Sequence, residues 1–148
     1  MASCSIPLLN RPVALDGRFY YDGGVGDSIP VGRALSKGYG KVVAVLTRRA
    51  GVYPKVGSKA QAAYRVFFRN DPQFREALLS RPARYRAQVA YLNRLESQGR
   101  AFVIRPQVPE LSHLEKNPEL AASYYRHGYT WMAGRWPDLQ AFLSREPE

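Results

Sequence analysis

The sequence has 148 residues, 45% of them hydrophobic and 23% charged, the balance of one globular domain rather than a disordered chain. Lys and Arg number 22 against 12 Asp and Glu, and the resulting charge of +10 favours anionic partners. The longest aliphatic run, Val42 to Leu46, is far short of the ~20 residues of a membrane helix, and the lone Cys4 rules out an internal disulfide or a Cys-rich zinc site. In chain order, Val13–Leu15 and Arg18–Tyr21 flank Asp16-Gly17 and predict a β-hairpin with that dipeptide as its turn. Asp22–Ser28 is a glycine-rich loop at the end of the second strand. Pro30 suits the first turn of a helix running to about Lys37, and Gly38 suits its left-handed C-terminal cap. Lys41–Thr47 is a continuous β-branched run, expected to be a strand buried on both faces. Strand, loop, helix and buried strand read as a βαβ unit, so the expected fold class is α/β with parallel strands.

The rest of the chain reads as mostly helical. Arg48–Ser58 is a polar loop, and Lys59–Arg69 and Gln73–Leu79 predict short helices separated by Asn70-Asp71-Pro72. A longer helix is expected from near Pro82 to Gly99, with Tyr85, Val89, Leu92 and Leu95 on one stripe. Ala101–Arg105 reads as a second short buried strand stopped by Pro106, and Glu119–Tyr129 and Pro137–Leu143 as closing helices. A single domain is expected. Residues 1–47 form its hairpin and βαβ unit, and residues 48–148 an Arg-rich helical region with a short strand near 101–105.

The charge is concentrated. Residues 1–47 carry +2, residues 48–105 carry +10 and residues 106–148 carry −2. The block at 48–105 is nearly all arginine, which reads first as a solvated helix face and otherwise suits an anionic membrane surface or a nucleic acid. Tyr64-Arg65, Arg84-Tyr85-Arg86 and Tyr124-Tyr125-Arg126 interleave rings with cations, as stacking platforms do. Tyr85 nevertheless falls on the apolar stripe and no nucleic-acid-binding motif occurs, which makes nucleic acid the lesser reading.

Few residues carry the marks of chemistry. His113 and His127 lack a second ligand at helical spacing, so no metal is expected; His127, before Gly128, suits the last turn of a helix. Cys4 has no neighbouring His or acid and reads as a small buried residue. Gly26-Asp-Ser28-Ile-Pro30 begins like the Gly-x-Ser-x-Gly elbow, but proline replaces the last glycine, which leaves Ser28 as a loop or helix-start residue. Asp22 is the strongest candidate. It closes a strand, and Gly23 and Gly24 after it let the backbone turn and a reactant approach, where a carboxylate tuned by burial or a neighbour can serve as a general base or orient one; taken alone, Asp-Gly-Gly reads rather as a structural turn.

Taken together, Ala2-Ser-Cys-Ser-Ile-Pro7, Leu8-Leu9, Pro12-Val13, Gly17, Tyr21-Asp-Gly-Gly24, Asp27 and Ile29-Pro-Val31 resemble the patatin-like phospholipases. Val45-Leu-Thr-Arg48, the Arg81–Gly99 helix, Phe102-Val-Ile-Arg-Pro106 and Leu114-Glu-Lys116 are similar to a bacterial branch of that family. The resemblance implies a three-layer α/β/α sandwich that hydrolyses lipid acyl esters with a Ser-Asp dyad. It places the dyad aspartate at Asp22, in the Asp22-Gly23-Gly24 motif, and calls for no cofactor or metal. The nucleophile elbow and the upstream glycine-rich oxyanion loop are not among the 148 residues. The expectation is therefore the C-terminal part of such an enzyme, inactive alone and prone to self-association or to pairing with the missing N-terminal part. Its expected partners are a lipid or ester substrate and an anionic membrane surface held by residues 48–105. The opening residues lack the charged lead and apolar stretch of a secretory signal, so a cytoplasmic location, peripheral at the membrane, is expected. The alternative reading is a non-catalytic basic module that binds nucleic acid or an anionic membrane.

Overall fold

A computed structural model describes residues 2–112 and 115–145, and His113 lies outside the described residues. The described residues form four short strands and five helices in order: β1 (Val13–Leu15), β2 (Arg18–Tyr20), α1 (Val31–Ser36), β3 (Val42–Val45), α2 (Ser58–Phe67), α3 (Pro72–Ser97), β4 (Ala101–Ile104), α4 (Pro118–Gly134) and α5 (Trp136–Ser144). Ala2–Cys4 and Gly23–Val25 add single 3₁₀ turns. With 52% helix and 10% strand, the chain is a mixed α and β protein in which helix dominates. Among the described residues no helix is long and apolar enough to cross a membrane.

Contacts divide the chain into two units, one of residues 1–30 and 53–90, the other of residues 31–52 and 91–148. In the first, β1 and β2 pair antiparallel in the register Val13↔Tyr20, Ala14↔Phe19 and Leu15↔Arg18. Asp16 and Gly17 lie at φ 49° and 71°, the left-handed pair a type I′ hairpin turn demands. Just past β2, the Tyr21 ring stacks on Phe74 at 4.9 Å and meets the edge of Phe68 at 6.2 Å. Phe68 in turn stands edge-on to Phe74 at 5.0 Å, so the end of α2 and the start of α3 grip the exit of the hairpin. Each such ring pair adds on the order of 1 kcal/mol beyond its buried area. Val25, Ile29, Leu78 and Tyr85, together with Pro7, are buried apolar residues of this unit.

In the second unit β3 and β4 pair parallel, from Val42↔Ala101 to Val45↔Ile104. Ala101, Phe102 and Val103 are buried, with Leu92 and Leu95 of α3 the most completely buried side chains. The Arg135 guanidinium lies over the Phe102 ring at 4.6 Å and donates to the Val103 carbonyl at 3.1 Å, which satisfies an outward-facing group of β4. Lys41 Nζ donates to the carbonyls of Phe142 (2.8 Å), Leu143 (3.2 Å) and Arg145, a cation placed where the α5 dipole is negative.

Several expectations change. The helices expected at Gln73–Leu79 and from Pro82 are one helix, α3, with Pro82 inside it. An internal proline costs a helix about 3 kcal/mol. Here the buried stripe of Leu78, Tyr85, Leu92 and Leu95 offsets that cost. The parallel partner of β3 is β4 rather than β2, so β2 and β3 are not the two strands of one βαβ unit. Nor is β3 buried on both faces: Val43 is 41% and Val45 71% exposed, while Ala44 between them is buried. Both faces of a strand are covered only when layers lie on each side, and the sheet here has two strands. α4 runs on through Gly128 to Gly134, which puts His127 in mid-helix rather than in its last turn. Cys4 is exposed, not buried, and Ser5 is the residue turned inward.

Candidate functional site

Asp22 stands two residues past the end of β2, after Tyr21, whose aromatic grip fixes the direction of the chain. Its backbone N–H donates to the Ser5 carbonyl at 3.0 Å. That bond ties the Ala2–Pro7 segment to the Asp22-Gly23-Gly24 motif, and the inward turn of Ser5 accounts for the outward Cys4. Asp22 then caps the 3₁₀ turn Gly23–Val25: its Oδ1 accepts the Gly24 N–H at 2.7 Å, and its carbonyl accepts the Val25 N–H at 3.1 Å. A side-chain oxygen in this role satisfies a donor that the turn leaves free. The carboxylate is half-buried, and among the described residues its Oδ2 has no hydrogen-bond partner.

The two glycines differ in purpose. Neither has positive φ, so a left-handed backbone is not the reason for either. A Cβ on Gly24 would lie 2.9 Å from Asp22 Oδ1 and 3.7 Å from Arg81 Nη2, whereas a Cβ on Gly23 meets nothing within 4 Å. Gly24 is therefore small because the carboxylate leans against it. Gly23 is exposed and its place is open. Downstream, Ser28 Oγ donates to the Gly24 carbonyl at 2.7 Å, which closes the loop and engages the hydroxyl with a backbone acceptor rather than with a base. Ser28 is a loop residue.

Sequence reasoning did not find the residues of α3 that face this loop. Arg84 Nη2 donates to the carbonyls of Val25 (2.9 Å) and Ala77 (2.6 Å), and Gln88 Nε2 donates to Asp27 Oδ1 at 2.5 Å. The available signal was the line Arg81, Arg84, Gln88 at helical spacing beside a proline, three long donors on one face. Other arginines of the basic block also serve inside the protein. Arg100 donates to the Gly40 carbonyl, and Arg105 bonds to Asn93 and pairs with Glu96 at 3.3 Å. Arg65, Arg69, Arg81, Arg86 and Arg94 remain exposed.

His127 Nε2 accepts the Gln107 backbone N–H at 3.1 Å, a structural role. In the second unit, a groove of about 430 Å³ runs between β3 and α4, lined by Val45, Ile104, Tyr124 and Trp131 among others. Beside it the Glu110 carboxylate accepts the Arg49 backbone N–H at 3.1 Å. Partial burial opposes its ionisation, but that bond and the charges of Arg48 and Arg49 outweigh it and hold Glu110 below the ordinary carboxylate range.

No curated protein and no solved structure matches the chain. The family described as a domain of unknown function (DUF6363) matches residues 71–144, which begin at the foot of α3 and end in the last turn of α5. On that match the chain belongs to the DUF6363 family.

Proposed function

We propose that the chain carries the acid half of a patatin-like lipid acyl hydrolase, with Asp22 as the base of a Ser-Asp dyad. The observation that carries this reading is the Asp22 N–H bond to the Ser5 carbonyl at 3.0 Å. It unites the two separated parts of the resemblance, Ala2–Pro7 and Asp22–Gly24, around one half-buried carboxylate. With Oδ1 held by Gly24, Oδ2 is the oxygen left to accept a serine proton. As the serine Oγ bonds to the ester carbonyl carbon, its proton passes to Asp22 and the carbonyl oxygen becomes an oxyanion. Collapse expels the alcohol, which takes the proton from Asp22, and water then cleaves the acyl-serine by the same path. The serine comes from a Gly-x-Ser-x-Gly elbow outside these 148 residues, in a sheet that continues past β3. The exposed Val43 and Val45, and the pairing of β3 with β4 alone among the described residues, support such a continuation. The exposed arginines of α2 and α3 support docking on an anionic lipid surface.

The test is made on two proteins, the 148-residue chain and the product of its reading frame extended upstream of Met1 to the preceding stop codon. The reading expects the first to leave p-nitrophenyl butyrate intact. The second hydrolyses it and loses that activity with Asp22→Asn. Hydrolysis that survives Asp22→Asn, or an extended product without esterase activity, overturns the reading.

A further inference from the structure

We propose that α3, the first helix of the segment that defines the family, is the clamp that sets the Asp22 loop, with Arg84 as its positioning residue. The loop from Asp22 to Ser28 contains three glycines, and Gly23, Gly26 and Asp27 are exposed, so its own sequence gives it little rigidity. It is held by its surroundings. At the entrance stands the Asp22 bond to Ser5. Every side-chain hydrogen bond that reaches the loop from outside it comes from α3, among the described residues. Arg84 takes the Val25 carbonyl at the end of the 3₁₀ turn that Asp22 caps, and Gln88, one helical turn further on, takes the Asp27 carboxylate.

The sequence of α3 explains why the clamp sits there. Pro82 has no N–H, so the Leu78 carbonyl lacks its usual helical donor and the ladder is interrupted at this point. Arg84 reaches back to the adjoining Ala77 carbonyl at 2.6 Å with the same Nη2 that holds Val25 at 2.9 Å. One guanidinium thus joins the helix backbone, at the residue before the carbonyl that Pro82 frees, to the backbone of the turn that Asp22 caps. A lysine carries the charge but not the planar fork that fixes this direction. Arg84 does not meet the Asp22 carboxylate itself. It acts by holding Val25, whose N–H bonds to the Asp22 carbonyl, and so fixes the turn whose Gly24 N–H orients Oδ1.

The role of Arg84 in catalysis rests on the reading of Asp22 as a base, but the clamp is measured without any catalysis. Backbone amide hydrogen exchange is followed by NMR on the 148-residue chain, wild type against Arg84→Gln, Arg84→Lys and Gln88→Ala. Arg84→Gln is expected to speed exchange at Gly24 and Gly26 about tenfold or more, the loss of one hydrogen bond to a charged donor, with Leu139 in α5 unchanged. Arg84→Lys is expected to fall between wild type and Arg84→Gln. Exchange at Gly24 and Gly26 within twofold of wild type in folded Arg84→Gln overturns the clamp. So does equal acceleration of all three amides, which marks Arg84 as a contributor to global stability only. If Arg84→Gln does not fold, Gln88→Ala decides: faster exchange at Gly26 and Asp27 upholds the clamp and unchanged exchange overturns it. A negative result here leaves the Asp22 reading standing, since that reading falls only to the esterase comparison with Asp22→Asn. In the extended product Arg84→Gln is expected to lower kcat with KM held, because the loop sets the base rather than the ester.

Discussion

Replacing Gly24 by alanine tests the geometry of the Asp22 carboxylate without any assumption about catalysis. The added Cβ falls 2.9 Å from Asp22 Oδ1, a separation that real Cβ atoms essentially never show. The carboxylate has to withdraw by about half an ångström to reach ordinary contact. The same oxygen accepts the Gly24 N–H at 2.7 Å, so withdrawal stretches a short charge-assisted bond out of its favourable range. A bond of that kind contributes about 1.5–3 kcal/mol. Part of this returns through the alanine's smaller unfolded-state entropy, worth roughly 0.4–1 kcal/mol. The expected net loss is about 1–2 kcal/mol, read as a lower midpoint with unchanged slope in urea unfolding. Gly23→Ala is the matched control, because its Cβ meets nothing within 4 Å and its φ is not positive. Its expected stability equals or slightly exceeds that of wild type. Equal stability of Gly24→Ala and Gly23→Ala would refute the contact between carboxylate and glycine.

Other consequences can be checked separately. Glu110 is ionised below its ordinary range in the folded state, so its contribution is present at neutral pH and is lost as pH falls below 4.5 through the depressed folded value. Glu110→Gln is therefore less stable than wild type at pH 7, and the gap closes in acid; a gap independent of pH contradicts the assignment. Val45 is 71% exposed on a strand paired along one edge, so the chain is expected to associate with itself. Val45→Lys shifts its elution on size exclusion toward the monomer, and a wild-type chain that elutes as a clean monomer at every concentration contradicts this. Sedimentation with anionic vesicles is expected to weaken steeply as salt rises, through the exposed arginines of α2 and α3. Salt-independent binding rules that surface out.

Local chemistry in the sequence translated well into local structure. Asp16-Gly17 specifies both left-handed residues of the hairpin turn, and Gly38 at φ 90° follows α1 where a C-terminal cap is needed. The stripe in α3 is the buried one at Tyr85, Leu92 and Leu95. Decisions made by tertiary partners were harder to read. Pro82 marks a helix boundary until the apolar stripe is seen to continue through it. Val42 to Val45 has the composition of a strand covered on both faces, yet coverage depends on layers that one strand's sequence does not contain. Asp22, Gly23 and Gly24 stood out as a motif. Arg84 and Gln88 did not, because a donor on a helix is ordinary until its acceptors, 59 and 61 residues away, are placed beside it.

Whether the Asp22 carboxylate activates a serine is read from the rate at which a fluorophosphonate labels the extended product, followed by intact mass. One label per chain is expected, on the serine of a Gly-x-Ser-x-Gly elbow, and Asp22→Asn should slow labelling by about 10²–10⁴-fold, the contribution of a positioned general base. Equal labelling rates in wild type and Asp22→Asn, or no labelling of the extended product, would contradict that activation.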